Sequence, residues 1–215
     1  MSPVIHTAFY ERYDLPHRYT VADCPTDTEV KAQVERLRRG EIAGANVTVP
    51  HKRLALALAD TAEATARDTG AANVLARDEA GRVVAYNTDV AALEERLRAG
   101  ARASIDAAVV LGRGGAALAG VVACRQAGAE RITVSSRSWT EDSPREHWQS
   151  VAEFQALGAV PTAWSQRPSS DLCVACANAS VTVQATSAGM LGHGGGETVV
   201  DLVPWSRLRS DAFLY

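Results

Sequence analysis

The sequence predicts an α/β protein in two units, the second a doubly wound parallel sheet. Three observations carry this. Ala107-Ala108-Val109-Val110-Leu111 is an unbroken apolar run, the pattern of a strand buried on both faces, and a glycine-rich turn and a helical stretch follow it at once. Gly44 to Asp60 joins an alternating strand pattern to a helix pattern through Pro50. Strand and helix signals alternate along most of the 215 residues, an order that produces sheets covered by helices. This length is large for one compact domain and comfortable for two. A fresh strand and helix alternation begins after residues 90–103, so the units are expected at 1–100 and 101–215.

Composition narrows the function classes. With 47% hydrophobic and 22% charged residues the chain can bury a core. Its formal net charge of -3 argues against a nucleic-acid surface, which needs clustered positive charge. No apolar run approaches the roughly 20 residues of a membrane helix, and no signal-peptide pattern opens the sequence, so a soluble cytoplasmic protein with no membrane partner is expected. Cys24, Cys124, Cys173 and Cys176 make no disulfide framework at this length. Cys173 and Cys176 have the spacing of half a zinc site, but no second pair accompanies them, so they read as buried thiols and no metal is expected.

In chain order, Ser2-Pro3 suits a helix start, with Ile5, Ala8 and Phe9 on one face. Arg18-Tyr19-Thr20-Val21 is a short strand candidate. Thr26-x-x-Glu29 is a capping-box signature, Val30, Val34 and Leu37 share the face of the helix it opens, and Gly40 ends it. Asn46-Val47-Thr48-Val49 then alternates as a strand stopped by Pro50, which is placed as the first residue of the next helix. Polar side chains gather at this strand end, with Lys52 in the first helical turn. Of 22 basic residues only Lys31 and Lys52 are lysine. Arginine keeps its proton near neutral pH, whereas a lysine can exchange one in a suitable setting, so Lys52 is a candidate for proton transfer. Further helix is expected to Asp68. The runs around Val74-Leu75 and Val83 to Tyr86 flank Asp78-Glu79-Ala80-Gly81 as a hairpin, and Asp89 is the expected N-cap of a helix over 90–98. Asn73 and Asn87-Thr88-Asp89 thus form a second polar cluster.

In the second unit, Gly112-Arg113-Gly114-Gly115-Ala116-Ala117 fits the G-x-G-x-x-G/A pattern between the buried strand and a helix to about Ala127. Such glycines let a pyrophosphate approach helix N–H groups, which marks a Rossmann-type dinucleotide-binding domain with Gly112, Gly114, Gly115 and Ala116 as cofactor contacts. The next strand, from Arg131, ends in Ser135-Ser136-Arg137-Ser138. NAD binding favours an acidic residue there. A guanidinium with the Ser136 and Ser138 hydroxyls suits a 2′-phosphate, so NADP is favoured over NAD, although Glu141 and Asp142 nearby would oppose a phosphate. Helices are expected from Val151 to Leu157 and from Asp171 to Ala179, with strands at 181–186 and 198–203.

The order of motifs resembles the shikimate/quinate dehydrogenase family. The matching landmarks are Ser2-Pro3-x-x-His6, Asn46-Val47-Thr48-Val49-Pro50-His51-Lys52, Asn87-Thr88-Asp89 and Gly112-x-Gly114-Gly115-Ala116, followed by Thr186-Ser187-Ala188-Gly189-Met190 and Val200-Asp201-Leu202-Val203. The resemblance implies an N-terminal α/β substrate domain followed by a Rossmann domain, with the reaction in the cleft. It implies NADP-dependent reduction of 3-dehydroshikimate to shikimate, a step toward the aromatic amino acids, with Lys52 and Asp89 as the proton-transfer pair. Ser2, Asn46, Thr48 and Asn73 would hold the substrate, and Gly189 and Met190 would lie beside the nicotinamide. A monomer or homodimer is expected.

Several positions depart from the family pattern. The family's first strand, with the first serine of its substrate clamp, would precede Met1, and its final helices, with a substrate-contacting glutamine, would follow Tyr215. Arg113 replaces a small residue in the glycine turn, where it could crowd the phosphates or contact them. Val74, Gln184 and Pro204 replace the usual threonine, asparagine and tyrosine. A quinate or aminoshikimate dehydrogenase, or a catalytically impaired nucleotide-binding relative, therefore stands as the alternative.

Overall fold

Backbone pairing sorts the described strands into two sheets, one on each side of a long connecting helix. The computed structural model describes residues 2–101, 104–189 and 195–215, without the side chains of Ser2 and Thr198. The first unit runs α1 (Ser2–Arg12), α2 (Asp27–Arg38), β1 (Gly44–Asn46), α3 (Lys52–Leu58), β2 (Thr61–Ala62), α4 (Ala64–Thr69), β3 (Val74–Arg77) and β4 (Val83–Tyr86). Its sheet has the order β1-β3-β4-β2. β3 and β4 form the expected hairpin, β1 adds antiparallel to β3, and β2 lies parallel to β4. Val34 and Leu37 of α2 close on Ala55, Leu75, Val83 and Ala85, the apolar face that the helical spacing predicts. The capping box of Thr26 and Glu29 is present at the start of α2.

α5 (Thr88–Gly100) leads to the second unit, which runs β5 (Ala107–Leu111), α6 (Gly115–Gln126), β6 (Arg131–Ser136), α7 (Val151–Ala156), β7 (Val160–Ala163), α8 (Asp171–Asn178), β8 (Val181–Gln184), α9 (Glu197–Val200) and β9 (Phe213–Leu214). The sheet order β7-β6-β5-β8-β9 is parallel throughout, with β5 at its centre and buried at every residue. Both faces are covered, as a parallel sheet requires. Val90, Leu93 and Leu97 of α5 join α6, Trp139 and Phe154 on one face, while Leu172, Cys176, Val199 and Leu202 cover the other. The four cysteines are free thiols. Burial pushes Cys124 and Cys176 up to about 12, which suits thiols used as apolar filling.

Several local expectations are corrected. Residues 18–21 form no strand, because no neighbouring strand pairs with them; Val21 is exposed and Tyr19 packs on His6 instead. Pro50 is not helical: α3 begins at Lys52 with His51 as its N-cap. Asp89 is not the cap of α5. That position is Asn87, whose side chain accepts from the Asp89 N–H. The stretch 198–203 is not a strand: Glu197–Val200 is helical, and Val199, Leu202 and Val203 are buried with Val200 exposed, a helical spacing. β9 takes the edge beside β8 instead. The short strands β2 and β7 were not signalled, the first having two residues and the second carrying Pro161.

Candidate functional site

The first polar cluster assembles because three chain segments are tied together by their backbones. The Val47 N–H donates to the Asn73 carbonyl at 2.8 Å, the Ala72 N–H to the Lys52 carbonyl at 2.9 Å, and the Asn73 N–H to the Tyr86 carbonyl at 3.0 Å. The end of β1, the start of α3 and the start of α5 therefore meet around the residues preceding β3. Their side chains complete the arrangement. Lys52 Nζ donates to Asp89 Oδ2 at 2.7 Å, and Asn73 Nδ2 donates to Asp89 Oδ1 at 2.8 Å, so each carboxylate oxygen has a donor. Asn73 Nδ2 also reaches the Thr88 hydroxyl at 3.0 Å, and its Oδ1 accepts the Thr88 N–H at 2.9 Å. The lysine side chain is 22% exposed and the aspartate 41%, an ion pair open to a small molecule on one side.

Asn87, grouped with this cluster in the sequence, turns inward. Its amide donates to the Thr69 hydroxyl at 2.8 Å and the Ala71 carbonyl at 3.1 Å while its Oδ1 caps α5. By taking the cap, Asn87 leaves the Asp89 carboxylate for Lys52. Asn46 is exposed at the end of β1. Its Nδ2 lies 3.1 Å from His6 Nε2 and donates to the Tyr19 hydroxyl at 3.1 Å, and the His6 and Tyr19 rings stack at 4.3 Å. Thr48 is exposed close by. Ser2 opens α1, but its side chain lies outside the described residues. Tyr19 was not found from the sequence, where nothing distinguishes it from other loop tyrosines; His6 served only as a landmark.

A separate group of residues surrounds the glycine turn. Gly112 has φ 138°, and a Cβ there would lie 2.6 Å from the Ala185 carbonyl oxygen, so only glycine fits between β5 and β8. Gly114 is the N-cap of the twelve-residue α6 and offers no side-chain cap; Cβ atoms at Gly114 and Gly115 would enter open space. The first N–H groups of α6 are thus accessible, which is the cradle a pyrophosphate needs, and Ala116 is exposed beside them. At the end of β6 the Ser136 and Ser138 hydroxyls are 3.2 Å apart and Arg137 is exposed. Glu141, expected to oppose a phosphate there, is held by Arg167 in an ion pair. Gly189 has φ 84° in the turn after β8, while Met190 lies outside the described residues.

The two units meet beside Lys52. Arg53, the next residue, donates from Nη1 and Nη2 to both carboxylate oxygens of Glu153 on α7, at 3.0 and 2.6 Å. α4 also packs on α6. Sequence reading missed this fork, because nothing local pairs residues a hundred apart.

An α/β unit carrying a half-buried Lys–Asp pair, joined to a doubly wound sheet with an open glycine turn, is a two-domain Rossmann-type architecture. Comparison with known proteins gives the family. The model of the shikimate dehydrogenase substrate binding domain matches residues 1–75. A shikimate dehydrogenase (NADP(+)) of Rhodopseudomonas palustris strain BisB18 is 33% identical over 213 residues, 98% of this chain and 72% of that protein. The chain belongs to the shikimate dehydrogenase family. A Caulobacter vibrioides shikimate dehydrogenase (NADP(+)) is 44% identical over 141 residues, 64% of this chain. That alignment covers 49% of the relative, and one from Rubrobacter xylanophilus covers 64%, so the match spans between half and two thirds of their lengths. Among solved structures, shikimate 5-dehydrogenase from Thermus thermophilus, in complex with NADP(H) and shikimate, superposes with a TM-score of 0.70 at 30% identity, covering 88% of this chain and 64% of that one.

Proposed function

We propose that the chain binds NADP and catalyses the reversible reduction of 3-dehydroshikimate to shikimate in the cytoplasm, as a monomer or homodimer. The observation that carries this reading is the Lys52–Asp89 pair at 2.7 Å, braced by Asn73 at the mouth of the first unit. In this reading residues 1–100 hold the substrate and 101–215 the cofactor. When bound, NADPH supplies a hydride to the carbonyl carbon. Lys52 gives a proton to the carbonyl oxygen as charge builds on it, so the ketone becomes an alcohol, and takes it back in the reverse direction. Asp89 keeps the ammonium aimed at that oxygen, and Asn73 keeps Asp89 in place. Asn46, Thr48, Asn73 and Ser2 bind the ring hydroxyls and the carboxylate. Gly112, Gly114, Gly115 and Ala116 admit the pyrophosphate to the start of α6. Ser136, Arg137 and Ser138 favour the 2′-phosphate of NADP, and Gly189 serves the nicotinamide side, a role the family resemblance extends to Met190.

Substrate choice is tested by offering the purified chain shikimate, quinate and aminoshikimate with NADP+ and following the absorbance of reduced nicotinamide. The reading expects shikimate to give the highest kcat/KM. Preference for either of the others reassigns the substrate, and turnover with none contradicts the proposed activity of the chain.

A further inference from the structure

Arg113 stands in the glycine turn, where a long cationic side chain is out of place if the turn serves packing alone. Its side chain does not cover Gly115 in the first turn of α6, where a Cβ would meet nothing within 4 Å. It bends toward the other side of the turn, where Nη1 donates to the side-chain Oε1 of Gln149 at 2.8 Å. Gln149 is itself fixed beside the end of β6. Its carbonyl accepts the Trp139 indole N–H at 3.1 Å, and the Trp139 backbone N–H donates to the Ser136 carbonyl at 2.8 Å. Arg113 therefore reaches from the glycine turn to the structure that carries Ser136, Arg137 and Ser138.

The charge of this arginine is not cancelled. Arg98, Arg131, Arg167 and Arg209 are each held by a carboxylate, and Arg53 by Glu153. The partner of Arg113 is a neutral amide, and the salt bridges among the described residues include neither Arg113 nor Arg137. A phosphate monoester carries about -1.5 to -2 charges at pH 7. One guanidinium leaves such a group under-neutralised; two match it. One of the five N–H donors of Arg113 is taken by Gln149, which leaves others for a fork on phosphate oxygens.

We propose that Arg113 is a second anchor for the 2′-phosphate of NADP, facing Arg137 across the adenosine site, with Gln149 setting the direction of its guanidinium. This rests on the dinucleotide reading above and adds a specificity contact from an element that ordinarily serves the pyrophosphate.

The test is calorimetric titration of the full chain with NADP+ and with NAD+, alongside Arg113→Met and Gln149→Glu. Losing a charge-assisted contact should weaken NADP+ binding about tenfold to a hundredfold in Arg113→Met, with NAD+ affinity within about twofold of wild type. Gln149→Glu puts a carboxylate on the guanidinium and should weaken NADP+ in the same selective way, with the arginine still present. Equal losses for NADP+ and NAD+ would mean a pyrophosphate or structural role and would overturn the proposal, as would unchanged affinities. Wild-type chain that binds neither dinucleotide would instead overturn the dinucleotide reading, and this proposal with it.

Discussion

Lys52 is held by one partner and Asp89 by two, and that asymmetry assigns their parts. Both Asp89 oxygens are occupied, by Lys52 and by Asn73, so the carboxylate is an orienting group whose position is fixed before any ligand arrives. The ammonium keeps two further N–H donors for a substrate oxygen. Lys52, Asn73 and Asp89 stood out in the sequence as members of polar clusters at strand termini and helix starts, but the pairing of Lys52 with Asp89 came from the family resemblance, since the residues alone make Asp89 a helix cap. Tyr19 and Arg53 were not legible. The first acts from an irregular segment, and the second through a partner on another unit, and neither placement leaves a periodic trace.

At the scale of the element, the start of α5 shows how one residue frees another. A cap at Asp89 would have spent the carboxylate on backbone N–H groups; Asn87 takes that task and also ties α5 to α4 through Thr69 and Ala71. Asn87→Ala removes the cap and the amide that donates to the buried Thr69 hydroxyl and the Ala71 carbonyl, so it should lower unfolding free energy by about 2–3 kcal/mol, read from urea denaturation. Asp60 plays a comparable part between α3 and β2. Its pKa is held below the ordinary carboxylate value, first by the Val83 backbone N–H and then by Arg38. A depressed folded pKa gives stability that is present above the unfolded value, near about 3.9, and is lost as pH falls through the folded one. Asp60→Asn should therefore flatten the acid limb of the stability profile below about pH 4, and a limb that stays as steep as wild type would refute the assignment. Most helices were legible from apolar spacing and caps. The errors fell on short segments, such as 198–203, where two apolar pairs, Val199-Val200 and Leu202-Val203, flank Asp201 and fit strand and helix equally.

At the scale of the whole molecule, the α/β class and the parallel second sheet followed from β5 and its glycine turn, since an apolar run of that kind must be covered on both faces. Strand order in the first sheet did not follow, because β2 is only two residues long. The Arg53–Glu153 fork ties the helix that begins with Lys52 to the cofactor-side unit. Both side chains are well exposed, so the fork adds little stability: Glu153→Gln should cost at most about 1 kcal/mol by denaturation. Its effect is expected in function, because the fork links the helix that begins with Lys52 to the cofactor-side unit. Glu153→Gln should change KM for shikimate or NADP+ far more than it changes the thermal midpoint, and a midpoint shift without a kinetic one would assign the fork to stability alone.

In the proposed reaction Lys52 moves the proton while the second unit binds the dinucleotide independently of it. The most direct measurement compares wild-type chain and Lys52→Ala in shikimate oxidation, with NADP+ affinity measured by calorimetry on the same preparations. The expected result is turnover by the wild type, a fall of about a hundredfold to ten-thousandfold in kcat for the variant, and NADP+ affinities that agree within about twofold. A variant that keeps its kcat, or one that loses NADP+ binding together with turnover, would contradict it.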